Sequence, residues 1–214
     1  ANGPYGGLLE GVFGTQRELY KRVGEFSFYE APELYQRLAH QPYEWLVGLS
    51  DVLAEEVSGR IGQAVAPTDL LIDAHWYYAP PDILKVAKAF ESLNLLWLED
   101  PIPPENIEAM AKVTRSTPTP ICTGENLFYM REYLPYFKCR AADVFMIDVP
   151  WQGFSQSKKV GDLADVYQLN VAPHNYYSHL STFISASLCA TLSNVRIQEI
   201  DIDDVPWKDK LVTV

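Results

Sequence analysis

LLWLEDP, residues 95–101, runs four apolar residues straight into the acid pair Glu99-Asp100. A run with no polar alternation belongs to a strand covered on both faces. An ionised carboxylate at the end of such a strand has to be paired or bound to a cation. Working outward by 26 residues in each direction gives the same arrangement twice more: LLIDAHW (70–76) ends at Asp73, and PICTGEN (120–126) reaches Glu125. Equal intervals of this kind are what repeated strand-helix units produce. Asp73, Glu99 and Glu125, one per unit, form a candidate divalent-cation site.

The units continue on both sides. Leu53, Val57, Ile61 and Val65 recur four apart behind Ser50-Asp51, predicting a helix over 51–64. Ile83, Val86, Ala87, Phe90 and Leu93 predict the helix after the first strand, followed by a strand over 95–98. Ile107, Met110 and Val113 mark a third helix, Ile121-Cys122 a strand, and 128–137 a helix broken or ended near Pro135. Val144–Ile147 is a strand, and Val160, Leu163, Ala164 and Tyr167 a helix. Residues 170–173 form the next strand, 180–192 an apolar helix and 195–200 a last strand. Six apolar strands alternating with helices predict an α/β protein with a parallel sheet. An open doubly wound sheet and a closed (β/α)8 TIM-type barrel share this pattern. No Gly-rich phosphate turn follows any strand, and polar residues end so many strands that the barrel is favoured, because its strand ends meet at one mouth. Residues 1–42, Gly-rich then aromatic, carry no dominant period and read as an irregular, partly helical excursion, a lid or specificity segment.

The composition limits the partners. Across 214 residues the net charge is −11, and neither Lys nor Arg forms a patch, so nucleic acid and anionic membrane surfaces are not expected partners. No apolar stretch has the length of a bilayer span and the N-terminus has no signal-peptide pattern. Cys122, Cys139 and Cys189 are odd in number and lie near apolar segments, which reads as reduced, buried thiols of a cytoplasmic protein.

The polar residues at successive strand ends are Asp73 with His75, Glu99 with Asp100, Glu125 with Asn126, then Asp148, His174 and Glu199. Single strand-end acids are commonly helix N-caps, but Glu is a poor cap and two of the three proposed ligands are Glu. An all-oxygen trio suits Mg²⁺, which leaves positions for an organic acid bound through its carboxylate. Asp148 and His174, one strand apart, fit a base and its orienter, against the alternative of a satisfied core histidine. His75, two residues past Asp73, would leave on the same face if the strand persisted; it is either a second acid-base group or a hydrogen-bond partner in the outer shell. Glu199 either meets the substrate carboxylate or pairs with a neighbouring base. His40 and His179 read as structural, and Trp97, Trp151 and Trp207 as packing.

The order DAHW, WLEDPIPPEN, CTGEN, MIDVPWQG, APHN and IQEID resembles the enolase superfamily, in particular its mandelate racemase and muconate lactonizing enzyme group. Within that group the Asp-x-His element is similar to that of the galactonate dehydratases and other acid-sugar dehydratases. The resemblance covers residues 43–207 and implies barrel strands three to eight only, without the N-terminal α+β capping domain or strands one and two. It also implies that 208–214 is a truncated tail and that the chain is a fragment of a longer enzyme. By the same resemblance Asp73, Glu99 and Glu125 are Mg²⁺ ligands, His174 with Asp148 the base dyad, Glu199 the electrophilic partner and His75 a general acid. The implied activity is dehydration of a sugar acid by a cytoplasmic homo-oligomer. The alternatives are racemisation or epimerisation of a 2-hydroxy acid, which requires a Lys base on strand two, or an inactive barrel fragment.

Overall fold

A computed structural model describes residues 71–200, with Trp207 and Lys210. The predicted helix over 51–64, the excursion 1–42, His40 and nearly all of the tail 208–214 lie outside the described residues. The described residues 71–200 belong to one compact unit. Its five strands are β1 (Ile72–Asp73), β2 (Leu98–Glu99), β3 (Ile121–Thr123), β4 (Val144–Phe145) and β5 (Asn170–Val171). All neighbours are parallel and the order is sequential, β1-β2-β3-β4-β5. A doubly wound sheet reverses its strand order at a switch point; these strands do not reverse.

The helices are α1 (Pro80–Phe90), α2 (Ile107–Arg115), α3 (Tyr129–Cys139), the single-turn α4 (Val149–Gln152), α5 (Phe154–Val166) and α6 (His179–Cys189). α1 starts with two prolines, whose missing N–H groups are harmless there, and buries Ile83, Val86, Ala87 and Phe90 at helical spacing. The Asn106 side chain caps α2 by accepting from the Ala109 N–H at 2.9 Å. Consecutive major helices pack against one another, α1 on α2, α2 on α3, α3 on α5 and α5 on α6, so they follow the strand order along one layer.

Several expectations need correction, and β4 and β5 end at Phe145 and Val171, short of the expected 147 and 173. Pro135 lies inside α3, which continues to Cys139; the prolyl ring and Arg131, whose carbonyl loses its partner, are both on the exposed face. The second strand is Leu98–Glu99 rather than 95–98. Val195–Ile200 forms no strand: a single parallel bridge joins Val195 to Val171, with Arg196 N–H bonded to the Val171 carbonyl and Glu199 N–H to that of Pro173. Helix α6 buries Ser181, Thr182, Ser185 and Leu188, while Leu180 and Ile184 face outward, so small residues rather than the large apolar ones set its contact face. Of the cysteines, only Cys122 is buried; Cys139 and Cys189 are partly exposed, and all three are free thiols.

The sheet has a core on each face. Towards the helices, Phe145 meets Phe137, Tyr133 and Tyr136 edge-on. On the opposite face Trp97, Cys122, Val144, Met146 and Ala172 form one buried cluster with Leu96 against it. Alternation along β2 then assigns Glu99 to the face of Trp97, while Asp148 and His174, which follow β4 and β5, are brought together by the hydrogen bond between them. Gly124 joins β3 to Glu125 with φ +120°, and a Cβ there would lie 3.0 Å from the Met146 carbonyl oxygen and 3.3 Å from the Tyr133 ring. Gly124→Ala is therefore expected to destabilise the fold by about 1–3 kcal/mol, read as a lowered midpoint in thermal unfolding.

Candidate active site

The strand register sets Asp73 beside Glu99, and Glu125 follows β3 after Gly124. Local chemistry fixes each one differently. Asp73 is exposed, and its Oδ1 accepts from the His75 N–H at 2.8 Å. Glu99 is buried, and its Oε2 accepts from the Trp97 indole at 2.7 Å, the donor being two residues earlier on the same face. Glu125 approaches His174, with Oε2 3.3 Å from Nε2. The backbone is left-handed at His75 and Trp76 after β1, at Asp100 after β2 and at Tyr129 after β3. Non-glycine residues in that region cluster at functional loops. β1 ends at Asp73 and His75 turns away at φ 43°, so the alternation that put His75 on the Asp73 face does not apply; its side chain is exposed.

His174 is the meeting point of the other residues. Its Nδ1 is 2.8 Å from Asp148 Oδ2, and its Nε2 lies 3.6 Å from Glu199 Oε2 as well as near Glu125. Asp148 can only accept, so Nδ1 carries hydrogen and donates, while Nε2 is presented to the two glutamates. Burial alone would lower the imidazole pKa, but the bond to Asp148 and the charges of Glu199 and Glu125 outweigh it and raise it. Glu199 is oriented by Asn175, whose backbone N–H donates to Oε2 at 2.7 Å and whose side-chain amide reaches the Glu199 carbonyl and Thr182.

The carboxylates repel one another. Burial and Asp73 push Glu99 well up. Burial, Asp100, Asp73 and Glu199 raise Glu125 to about 7, against the lowering effect of His174. Such a set is short of positive charge, and three carboxylates are hard oxygen donors suited to Mg²⁺ by type and by strand position. Among the described residues, however, no three His, Cys, Asp or Glu side chains are gathered closely enough to hold a metal ion, since Glu125 is turned to His174 and Glu99 to Trp97.

Asp100 gives a measurable consequence. It is fully buried, accepts from the Thr123 hydroxyl at 2.5 Å, and burial raises it to about 6 from 3.8. The unfolded chain thus releases this proton first, and stability falls as pH rises from about 4 to about 6, by about 3 kcal/mol in total. Asp100→Asn retains an acceptor for Thr123 and should remove that decline, so denaturant unfolding at pH 4.5 and 7 should show the variant gaining on wild type at the higher pH.

Sequence reasoning missed Tyr177, whose hydroxyl donates to Asp148 Oδ2 at 2.5 Å, and Asn175. Both follow His174 within three residues, a proximity that was the only available signal. Trp97 packs as expected but also holds Glu99. Trp151 and Trp207 are not buried, being 46% and 57% exposed, although Trp151 stacks on Phe128 at 4.8 Å.

Comparison with known proteins places the chain. Residues 53–214 match the family model described as enolase C-terminal domain-like. The D-xylonate dehydratase of Haloferax volcanii is 33% identical over 161 residues, 75% of this chain and 38% of that enzyme. The D-gluconate/D-galactonate dehydratase of Picrophilus torridus is 26% identical over 99% of this chain and 54% of its own length. Among solved structures, a mandelate racemase/muconate lactonizing enzyme-like protein from Rubrobacter xylanophilus superposes with TM-score 0.66 at 37% identity, covering 73% of this chain and 39% of that one. A protein assigned as an L-alanine-DL-glutamate epimerase from Burkholderia xenovorans, solved with magnesium and fumarate, gives TM-score 0.66 at 37% identity, covering 73% and 38%. The chain thus spans about half or less of the length of these relatives. With the parallel strand-helix order and Asp73 in register with Glu99, the match means that this chain belongs to the enolase C-terminal domain-like family.

Proposed function

We propose that the whole protein is a Mg²⁺-dependent sugar-acid dehydratase whose described strands, with 195–200, belong to a closed (β/α)8 barrel as strands three to eight. The observation that carries this is His174, held by Asp148 at Nδ1 and presenting Nε2 to Glu125 and Glu199. Asp73, Glu99 and Glu125 would hold the ion, which when bound supplies Lewis-acid stabilisation of negative charge on a substrate carboxylate. Asp148 keeps the proton on Nδ1, so Nε2 is the nitrogen that takes the α-proton. Glu199, set by Asn175, faces the carboxylate end of the enediolate that results. His75, or His174 returning its proton, assists departure of the 3-hydroxyl, and the enol becomes a 2-keto-3-deoxy acid. The dehydratase relatives support this reading. The test is a panel of sugar acids assayed for keto-acid formation with Mg²⁺ and with EDTA; turnover that survives both chelation and His174→Asn sinks the mechanism.

The epimerase-assigned neighbour favours a second reading, racemisation or epimerisation of a 2-hydroxy acid. It predicts deuterium incorporation with inversion at the α-carbon and no loss of water, which NMR of the reaction in D₂O separates from elimination.

A further inference from the structure

Asp148 is 1% exposed and accepts three hydrogen bonds: the Trp151 N–H on Oδ1 at 3.1 Å, and on Oδ2 both His174 Nδ1 at 2.8 Å and the Tyr177 hydroxyl at 2.5 Å. The Tyr177 ring also stands edge-on to the imidazole, with centroids 5.8 Å apart and planes at 89°. We infer that Tyr177 is a positioning residue for the proposed base, its hydroxyl fixing the Asp148 oxygen that orients His174. The inference rests on the reading of His174 as the base. Trp151 holds only Oδ1. If the imidazole were the sole donor to Oδ2, it would be held by an oxygen free to follow its movements. A second donor anchored on the loop before α6 makes the direction of Oδ2 independent of His174. Sharing that oxygen also divides its accepting capacity, so the Nδ1–H bond is weaker than an unshared carboxylate would make it. Burial and the adjoining Asp148 charge keep the phenol protonated and therefore a donor.

The experiment is Tyr177→Phe in the whole protein, which keeps the ring and removes the hydroxyl. The Nδ1–H resonance of His174, assigned by its absence in His174→Asn, is expected to move downfield as Asp148 bonds the imidazole alone. In parallel, kcat should fall about tenfold with KM within about twofold, since geometry at the base and not substrate affinity is altered. An unmoved resonance overturns the inference, as does a loss carried by KM with kcat unchanged. If wild type turns over none of the sugar acids, the function proposed above fails, and the resonance alone decides the role of Tyr177.

Discussion

Replacing His174 with Asn is expected to lower kcat by about 10²–10⁴-fold and to abolish exchange of the substrate α-proton in D₂O. The side chain is only 15% exposed and meets three carboxylates, Asp148, Glu125 and Glu199, within 3.6 Å. Asn fills much of the same space and can still donate to Asp148, but has no nitrogen able to take a proton. The loss therefore belongs to chemistry rather than folding, and an unchanged thermal midpoint should accompany it. α-Proton exchange at the wild-type rate in this variant would remove His174 from the mechanism.

The second large effect is expected from Asp148→Asn. Asp148 has two tasks that one substitution separates. Its Oδ1 caps α4 through the Trp151 N–H, and Asn caps helices as well as Asp does, so the turn should persist. Its charge on Oδ2 holds Nδ1–H, and a neutral amide no longer secures that tautomer or supports a proton on the ring. We expect kcat to fall by about 10²–10⁴-fold with little change in substrate affinity, and the acidic limb of the pH–rate profile to move downward, because a bond that raises the imidazole pKa has been weakened. A profile superposable on wild type would show that Asp148 serves only as a cap.

The strand-helix order and the residues at the strand ends were legible because burial on both faces forces uninterrupted apolar runs, and an acid at the end of such a run stands out. Boundaries were less legible. Pro135 carries a strong breaking signal that was overridden because Tyr133, Tyr136 and Phe137 anchor the helix on the other side. Helix α6 misled because Leu180 and Ile184 face outward while Ser181, Thr182 and Ser185 are buried beside Leu188, so hydropathy does not mark its buried face. Residues 195–200 have strand composition yet form no strand, meeting β5 and the segment after it through one bridge and the bond from Glu199 to Pro173. In the site, His174 and Asp148 could be paired from strand spacing alone. Tyr177 and Asn175 could not, because neither falls at the strand-to-strand interval of 26 residues that links Asp148 to His174, and no period tells which way their side chains point.

The Tyr133 hydroxyl, buried on the helix side of the sheet, lies 2.9 Å from the carbonyls of both Gly124 and Met146. One phenol thus ties the segment that carries Glu125 to the segment that leads into Asp148, from the helix side of the sheet. The spacing between these two groups is consequently set by a buried side chain of the helix layer. Changes in the loops that follow these segments are thus expected to leave that distance as it is, because the tie that sets it lies among the helices.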